Sequence, residues 1–252
     1  MSSLADIVIL GVSGKHGDAA PPALPANPDY AGQAPAPSGT YSDCTCYCAI
    51  NGQAAGSGNR GNHGGQGFPG LPAPTLGLIV SRLLSDLVIV SQGGSGGQGA
   101  PGGTGTDGGL GQDSGTNDPS CLKLTPSSSA CCNPAVGGPG GDAGGGGDGG
   151  PGGAAGDGGD IYIYYMETQT VSPSGAVYQV LPTSAPGSVG GGGGPGSAGN
   201  PGLGGYSEAV GATQETRVQS GATANAGGYG PNGQPPGQPG TVIAQYVPPG
   251  VF

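Results

Sequence analysis

The chain has 252 residues, of which 62 are Gly and 26 Pro, with no Trp and two Phe; apolar residues make up 33%, charged residues 8%, and the formal net charge is −10. An ordinary enzyme domain of this length needs far more large apolar side chains, and a disordered charged tail needs more charge. The balance of acidic over basic residues repels nucleic acid and anionic membranes, so neither is expected as a partner.

The elements follow in chain order. The N-terminal stretch MSSLADIVILGVSG has no basic region and carries Asp6, so it does not read as a secretory signal; its Asp6–Leu10 segment reads as a strand. A first Gly-triplet rod covers 11–26, with Gly11, Gly14 and Gly17 continued by Ala20, Ala23 and Ala26. Cys44–Ile50 is strand-like, and rod 2 covers 52–70, with Gly58, Gly61 and Gly64 at its centre. Thr75–Leu84 reads as one short helix and Asp86–Val90 as a strand; the apolar run containing them is broken by Arg82 and Asp86, so no run reaches the roughly 18 residues of a membrane span. Rod 3 covers 93–111, where Gly recurs at every third residue through Gly96, Gly99 and Gly102. After the strand-like Cys121–Leu124, rod 4 covers 138–159 through Gly144, Gly147 and Gly150. Asp160–Tyr165 and Ala176–Leu181 read as strands. The first is apolar on both faces and is expected to be covered on both. Rod 5 covers 187–205 through Gly193, Gly196 and Gly199; a strand-like Gln214–Gln219 precedes rod 6 at 221–240, whose period slips by one residue before Gly237, and Thr241–Val247 closes the series. DIVIL, DLVIV and DIYIY share one form, an Asp followed by four apolar residues.

Three residues per turn is the repeat of an extended polyproline-II-type helix. With Gly at every third place, one face of such a helix has no side chain and another backbone can approach it. Collagen uses the same period, but these runs are short, similar in length, and often have Gly again at the other two places. The expected fold is one repetitive Gly-rich bundle over 1–252: five to six Gly-x-x polyproline-II-type helices, interleaved short β-strands forming a small sheet, and little or no α-helix. N–H···O bonds and weak Cα–H···O contacts hold the rods.

Six cysteines lie in two knots, Cys44, Cys46, Cys48 and Cys121, Cys131, Cys132. Disulfides are the favoured reading over a zinc site, which this spacing and the lack of a nearby His do not support, and over free thiols. Fifteen pairings are open; Cys44, Cys46 and Cys48 are expected to pair with Cys121, Cys131 and Cys132, which leaves six. The disulfides place the protein outside the cell. Asp142, Asp148, Asp157 and Asp160 each follow a period-three Gly and form an acidic ridge on rod 4. They read as solvated, with calcium or a cationic partner as the alternative. His16 and His63 sit in triplets without metal-ligand neighbours, and no P-loop occurs. No enzyme, cofactor or metal site is expected.

At the triplet runs the chain resembles polyglycine-II/polyproline-II bundle proteins, architecturally the snow-flea antifreeze proteins and the Gly-rich receptor-binding adhesins of phage tail fibres. The resemblance implies successive rods packed into a bundle. Three functions are in view. The first is a structural subunit of an extracellular filament or sheath, with its own copies as partner through terminal strands. The second is a phage or cell-surface adhesin, with a receptor or glycan at the rod-connecting loops. The third is ice binding, against which Asn59, Arg60, His63, Gln66, Gln98 and the Asp ridge stand.

Overall fold

The computed structural model describes residues 5–43, 45–121, 132–168, 178–209 and 216–248; Cys44, Cys131 and parts of the segments expected at 121–124, 176–181 and 214–219 lie outside them. Among the described residues there is no α-helix. Eight short strands occur: β1 Ile7–Leu10, β2 Thr40–Ser42, β3 Thr45–Tyr47, β4 Leu76–Leu83, β5 Leu87–Gln92, β6 Ile161–Thr168, β7 Val180–Ala185 and β8 Val242–Tyr246.

The six rods take neither helix nor strand, and backbone hydrogen bonds join them at every third residue. Gly58, Gly61, Gly64, Gly67 and Gly70 of rod 2 donate to Asp142, Gly145, Asp148, Pro151 and Ala154 of rod 4, which runs parallel to it. Gly93, Gly96, Gly99 and Gly102 of rod 3 donate in the same way to Ala185, Ser188, Gly191 and Gly194 beside and within rod 5. Consecutive rods run antiparallel: Gly97 donates to Phe68, Gly103 to Asn62, Gly147 to Gly103 and Gly196 to Gly147. The result is two layers, rods 1, 3 and 5 in one and rods 2, 4 and 6 in the other. Rods are parallel within a layer and antiparallel between layers. Rod 6 follows rod 4 at an offset of 79 residues as far as Gly152→Pro231 and of 80 from Gly158→Gln238, so the sequence slip appears as one extra residue in the outer rod.

Gly serves here by lacking Cβ. Among the described glycines only Gly32 takes a left-handed φ, at 67°. A Cβ on Gly147 would run into the carbonyl oxygen of Asn62, and one on Gly99 into that of Gly150.

Strands precede the rods of the first layer and follow those of the second. Because the layers are antiparallel, both sets of strands collect at one end of the bundle. They form two parallel sheets, ordered β1-β5-β7 and β4-β6-β8. Ile89 of one sheet and Ile161 and Ile163 of the other are fully buried between them, with Ile7, Leu76, Leu78, Leu87 and Val180 packed around. The opposite end carries the β2–β3 hairpin and two disulfides, Cys46–Cys121 and Cys48–Cys132, with Cα separations of 5.6 and 5.3 Å.

Several expectations are corrected. Thr75–Leu84 is strand β4 rather than a helix: rod 2 enters it in register with rod 4, Leu76 donating to Asp160, and pairing with β6 continues that ladder. Gly77, Ile79 and Val80 also favour extension over helix. Of Gln214–Gln219 the described part holds a single bridge, Arg217 to Tyr206. Strand β2 was unmarked in the sequence. Ile161 and Ile163 are buried, but the other face of β6 is not: Tyr162 and Tyr164 are half-exposed there.

Two outcomes follow. Gly99→Val and Gly147→Val each force a branched side chain into a neighbouring backbone, and are expected to destabilise by on the order of 3 kcal/mol in thermal melts, whereas exposed Gln98→Val changes little. Non-reducing peptide mapping should recover Cys46–Cys121 and Cys48–Cys132. Each bridge closes a loop of 75 or 84 residues, worth about 4 kcal/mol in the chain-entropy model.

Candidate functional site

Each rod residue points its backbone N–H in one of three directions. In rod 3, Gly93 and its period-three relatives donate to rod 5 and Gly94 and its relatives to rod 2, while the third set faces the outer surface of the layer. An N–H on an outer surface has no backbone partner and is left to water or to a side chain. In rods 5 and 6 several such amides are taken by aspartates of the neighbouring rod.

On rod 4, Asp142 accepts from Ala222 N–H at 2.6 Å, Asp148 from Gly228 at 2.7 Å, Asp157 from Gln238 at 2.7 Å and Asp160 from Thr241 at 2.6 Å. The other layer repeats the device. Asp107 accepts from Asn200 N–H and Asp113 from Tyr206 N–H. Asp29 accepts from Leu110 N–H, and Asn51 does the same for Val136 between rods 2 and 4. The Asp at the head of each of the three similar strands is an amide acceptor too. Asp6 takes Val88 N–H, Asp86 takes Gln179 N–H, and Asp160 takes that of Thr241. The four ridge aspartates thus set the register of rod 6 against rod 4. Asp148 also meets Arg60 Nη2 at 2.9 Å and His63 Nδ1 at 3.6 Å. The Gly228 N–H, with the Arg60 guanidinium and His63 beside it, holds the Asp148 carboxyl below its ordinary value against a smaller desolvation effect.

The packing glycines line the places where rods cross. Cβ atoms on Gly58, Gly61 and Gly64 would meet the carbonyls of Thr106, Gly103 and Ala100; on Gly96 and Gly102, those of Gly153 and Gly147; on Gly144 and Gly150, those of Asn59 and Gly65; on Gly193, Gly196 and Gly199, those of Ala100, Gly103 and Thr106. The outer edges are different. The places in rod 5 equivalent to the rod 3 donors toward the next rod hold Pro186, Val189, Pro195, Ala198 and Pro201, with Gly at 192 and 204 and the Gly192 N–H donated to Asn232 Oδ1. Those in rod 6 hold Thr223, Ala226, Tyr229 and Asn232, with Tyr229 82% exposed, and the free side of rod 1 holds Val12, Lys15, Pro21 and Leu24. Proline has no N–H to offer, and the side chains keep another backbone at a distance.

Exposed apolar side chains occur along the rods and at both ends, and at the sandwich end they lie on both sheets. Val8, Leu10 and Leu181 are exposed on the first sheet, and Ile79, Val242, Ile243 and Tyr246 on the second. Parallel sheets ordinarily have both faces covered. The disulfide end is tied instead by a polar network that composition did not reveal. The Glu208 carboxylate accepts from Asn117 N–H and Nδ2, both at 2.7 Å, and from Ala135 N–H at 2.9 Å, while Asn117 Oδ1 accepts from Ala49 N–H. Asn117 is buried. Nothing in the sequence marks Glu208; Asp107 and Asp113 were also missed, although they share one three-residue phase that could have marked them. No group of three or more His, Cys, Asp or Glu among the described residues is placed to hold a metal.

Asp157→Ala and Asp160→Ala each strand an amide of the outermost rod or strand, and should lower stability by about 1–2 kcal/mol with Asn substitutions milder, since the amide oxygen still accepts. The Asp148 shift adds a pH signature. A carboxyl held low when folded contributes stability that is present above its unfolded value of 3.8 and lost as pH falls through the lower folded value. Melts in acid should therefore fall less steeply in Asp148→Asn than in the parent.

No protein-family model matches the chain, and no curated protein does. Among solved structures it aligns with a springtail antifreeze protein from Granisotoma rainieri, described as a nine polyproline type II helical bundle whose crystal waters match the ice lattice; the two are 20% identical over 78% of this chain and 96% of that one, with a TM-score of 0.08. A superposition at that score carries no structural argument.

Proposed function

We propose that the six rods are polyproline-II-type helices and that the protein is a structural subunit of an extracellular filament or sheath, built by self-association at its sandwich end. The observation that carries this reading is the distribution of surface. Rod edges are closed by Pro and by projecting side chains, whereas both sheets leave aliphatic and aromatic residues exposed. Patches of that kind mark association surfaces. The two disulfides suit an oxidising compartment, and no helix among the described residues is long and apolar enough to cross a membrane. The middle of the second layer carries the exposed Arg60–Asp148 pair, which fits a water-exposed flank better than a flat lattice of small residues.

Sedimentation velocity over a concentration series, with negative-stain images of the same samples, tests the reading. The parent protein is expected to form higher-mass species and elongated particles. Val8→Lys with Leu10→Lys should weaken assembly at least tenfold in concentration without changing the melt. A parent that stays monomeric at high concentration would exclude it.

A further inference from the structure

Among the described strands of the two parallel sheets, β1 and β8 are the edges with neither proline nor charge, and β8 is the longer and is exposed at every residue. Among the described residues β8 has β6 on one side and no strand on the other. The bonds Ile161→Thr241 and Val247→Tyr165, with the pairing of Ile161 to Val242, show that residues 241, 243, 245 and 247 turn their polar backbone groups toward β6. The N–H and C=O of Val242, Ala244 and Tyr246 therefore point away from the sheet. All five residues are exposed, Val242 by 40%, Ile243 by 38% and Tyr246 by 52%. Natural edges are blunted by proline, by charge or by a covering element. β7 has Pro182 at an outward-pointing place of its free edge, and β4 carries Arg82. β8 reads VIAQY, with neither proline nor charge.

Resting on the self-association reading, we infer that β8 pairs antiparallel with β8 of a second copy about a two-fold axis centred on Ala244. The strand is self-complementary in this register. Ala244 faces Ala244 of the second copy, Val242 faces Tyr246 and Ile243 faces Gln245, so no like charges oppose each other. The outward N–H and C=O groups of 242, 244 and 246 satisfy one another across the axis, the isologous arrangement of a two-fold interface. Parallel addition is disfavoured by the rods. It brings rod 6 alongside rod 2 of the next copy, where Thr223, Tyr229 and Asn232 occupy the approach. Antiparallel pairing avoids this, because rod 6 enters β8 from the Val242 end and the two bundles then point in opposite directions. The dimer is an end-to-end rod joined at its sandwiches, the elongated unit that a filament needs.

Two variants test the inference. Ala244→Pro deletes one outward N–H and leaves every bond to β6 in place. It should convert the smallest associated species to monomer, with melting and the Cys46–Cys121 and Cys48–Cys132 bridges unchanged. Ala244→Cys places two thiols at a hydrogen-bonded antiparallel pair, about 5.5 Å apart between Cα atoms, within disulfide reach; mild oxidation should yield a dimer linked Cys-to-Cys at position 244. If Ala244→Pro is folded and still associates, and Ala244→Cys gives no such link, the β8 interface is wrong while self-association stands. If Ala244→Pro misfolds, the cross-link alone decides. If the parent protein never associates, both fall.

Discussion

Everything in this molecule depends on one close approach, a peptide N–H of one rod meeting a peptide C=O of the next with no side chain between them. The bond is ordinary, 2.7–3.2 Å from nitrogen to oxygen. What is unusual is that three fully buried isoleucines are all the large aliphatic side chains withdrawn completely from solvent among the described residues. A net hydrogen bond contributes only about 1 kcal/mol, so stability has to come from many of them repeated along each rod. Repetition requires strict spacing, and the spacing demands Gly wherever backbones cross. The entropic cost of ordering so much Gly is offset in part by two bridges that restrain the unfolded chain.

The aspartates solve the problem this design creates. A three-residue repeat aims one amide in three at the outer surface of a layer, where no rod lies. Asp142, Asp148 and Asp157 take such amides from rod 6, and Asp107 and Asp113 take those on the rod 5 side. Rods 5 and 6 contain no Asp. Their free edges carry mostly Pro and larger side chains instead. Interior rods thus carry Gly and Asp, and terminal rods carry neither requirement on their outer side.

At the sandwich end the logic changes from period three to period two. Leu76 donates to Asp160 and the same ladder continues into β4 and β6, so the strands keep the register of the rods. Hydrophobic burial then only has to close a small end rather than organise the fold. That economy leaves the outer faces and β8 uncovered.

Much of this was legible in the sequence. The crossing of the two described disulfides between the knots and most strand positions followed from the cysteine spacing and the Asp-led apolar runs. Those are local signals: a Cβ either fits or does not, and a β-branched run favours extension wherever it occurs. The sequence alone did not decide that Thr75–Leu84 is a strand, that the ridge aspartates are amide acceptors, or that Glu208 ties Asn117 to Ala135. Each of these depends on a partner some 70 to 90 residues away. Period three says that a rod has a bare face, but not which rod will lie against it. That choice came from the alternation of rod direction, which stacks two antiparallel layers and delivers all six rod-borne strands to one end.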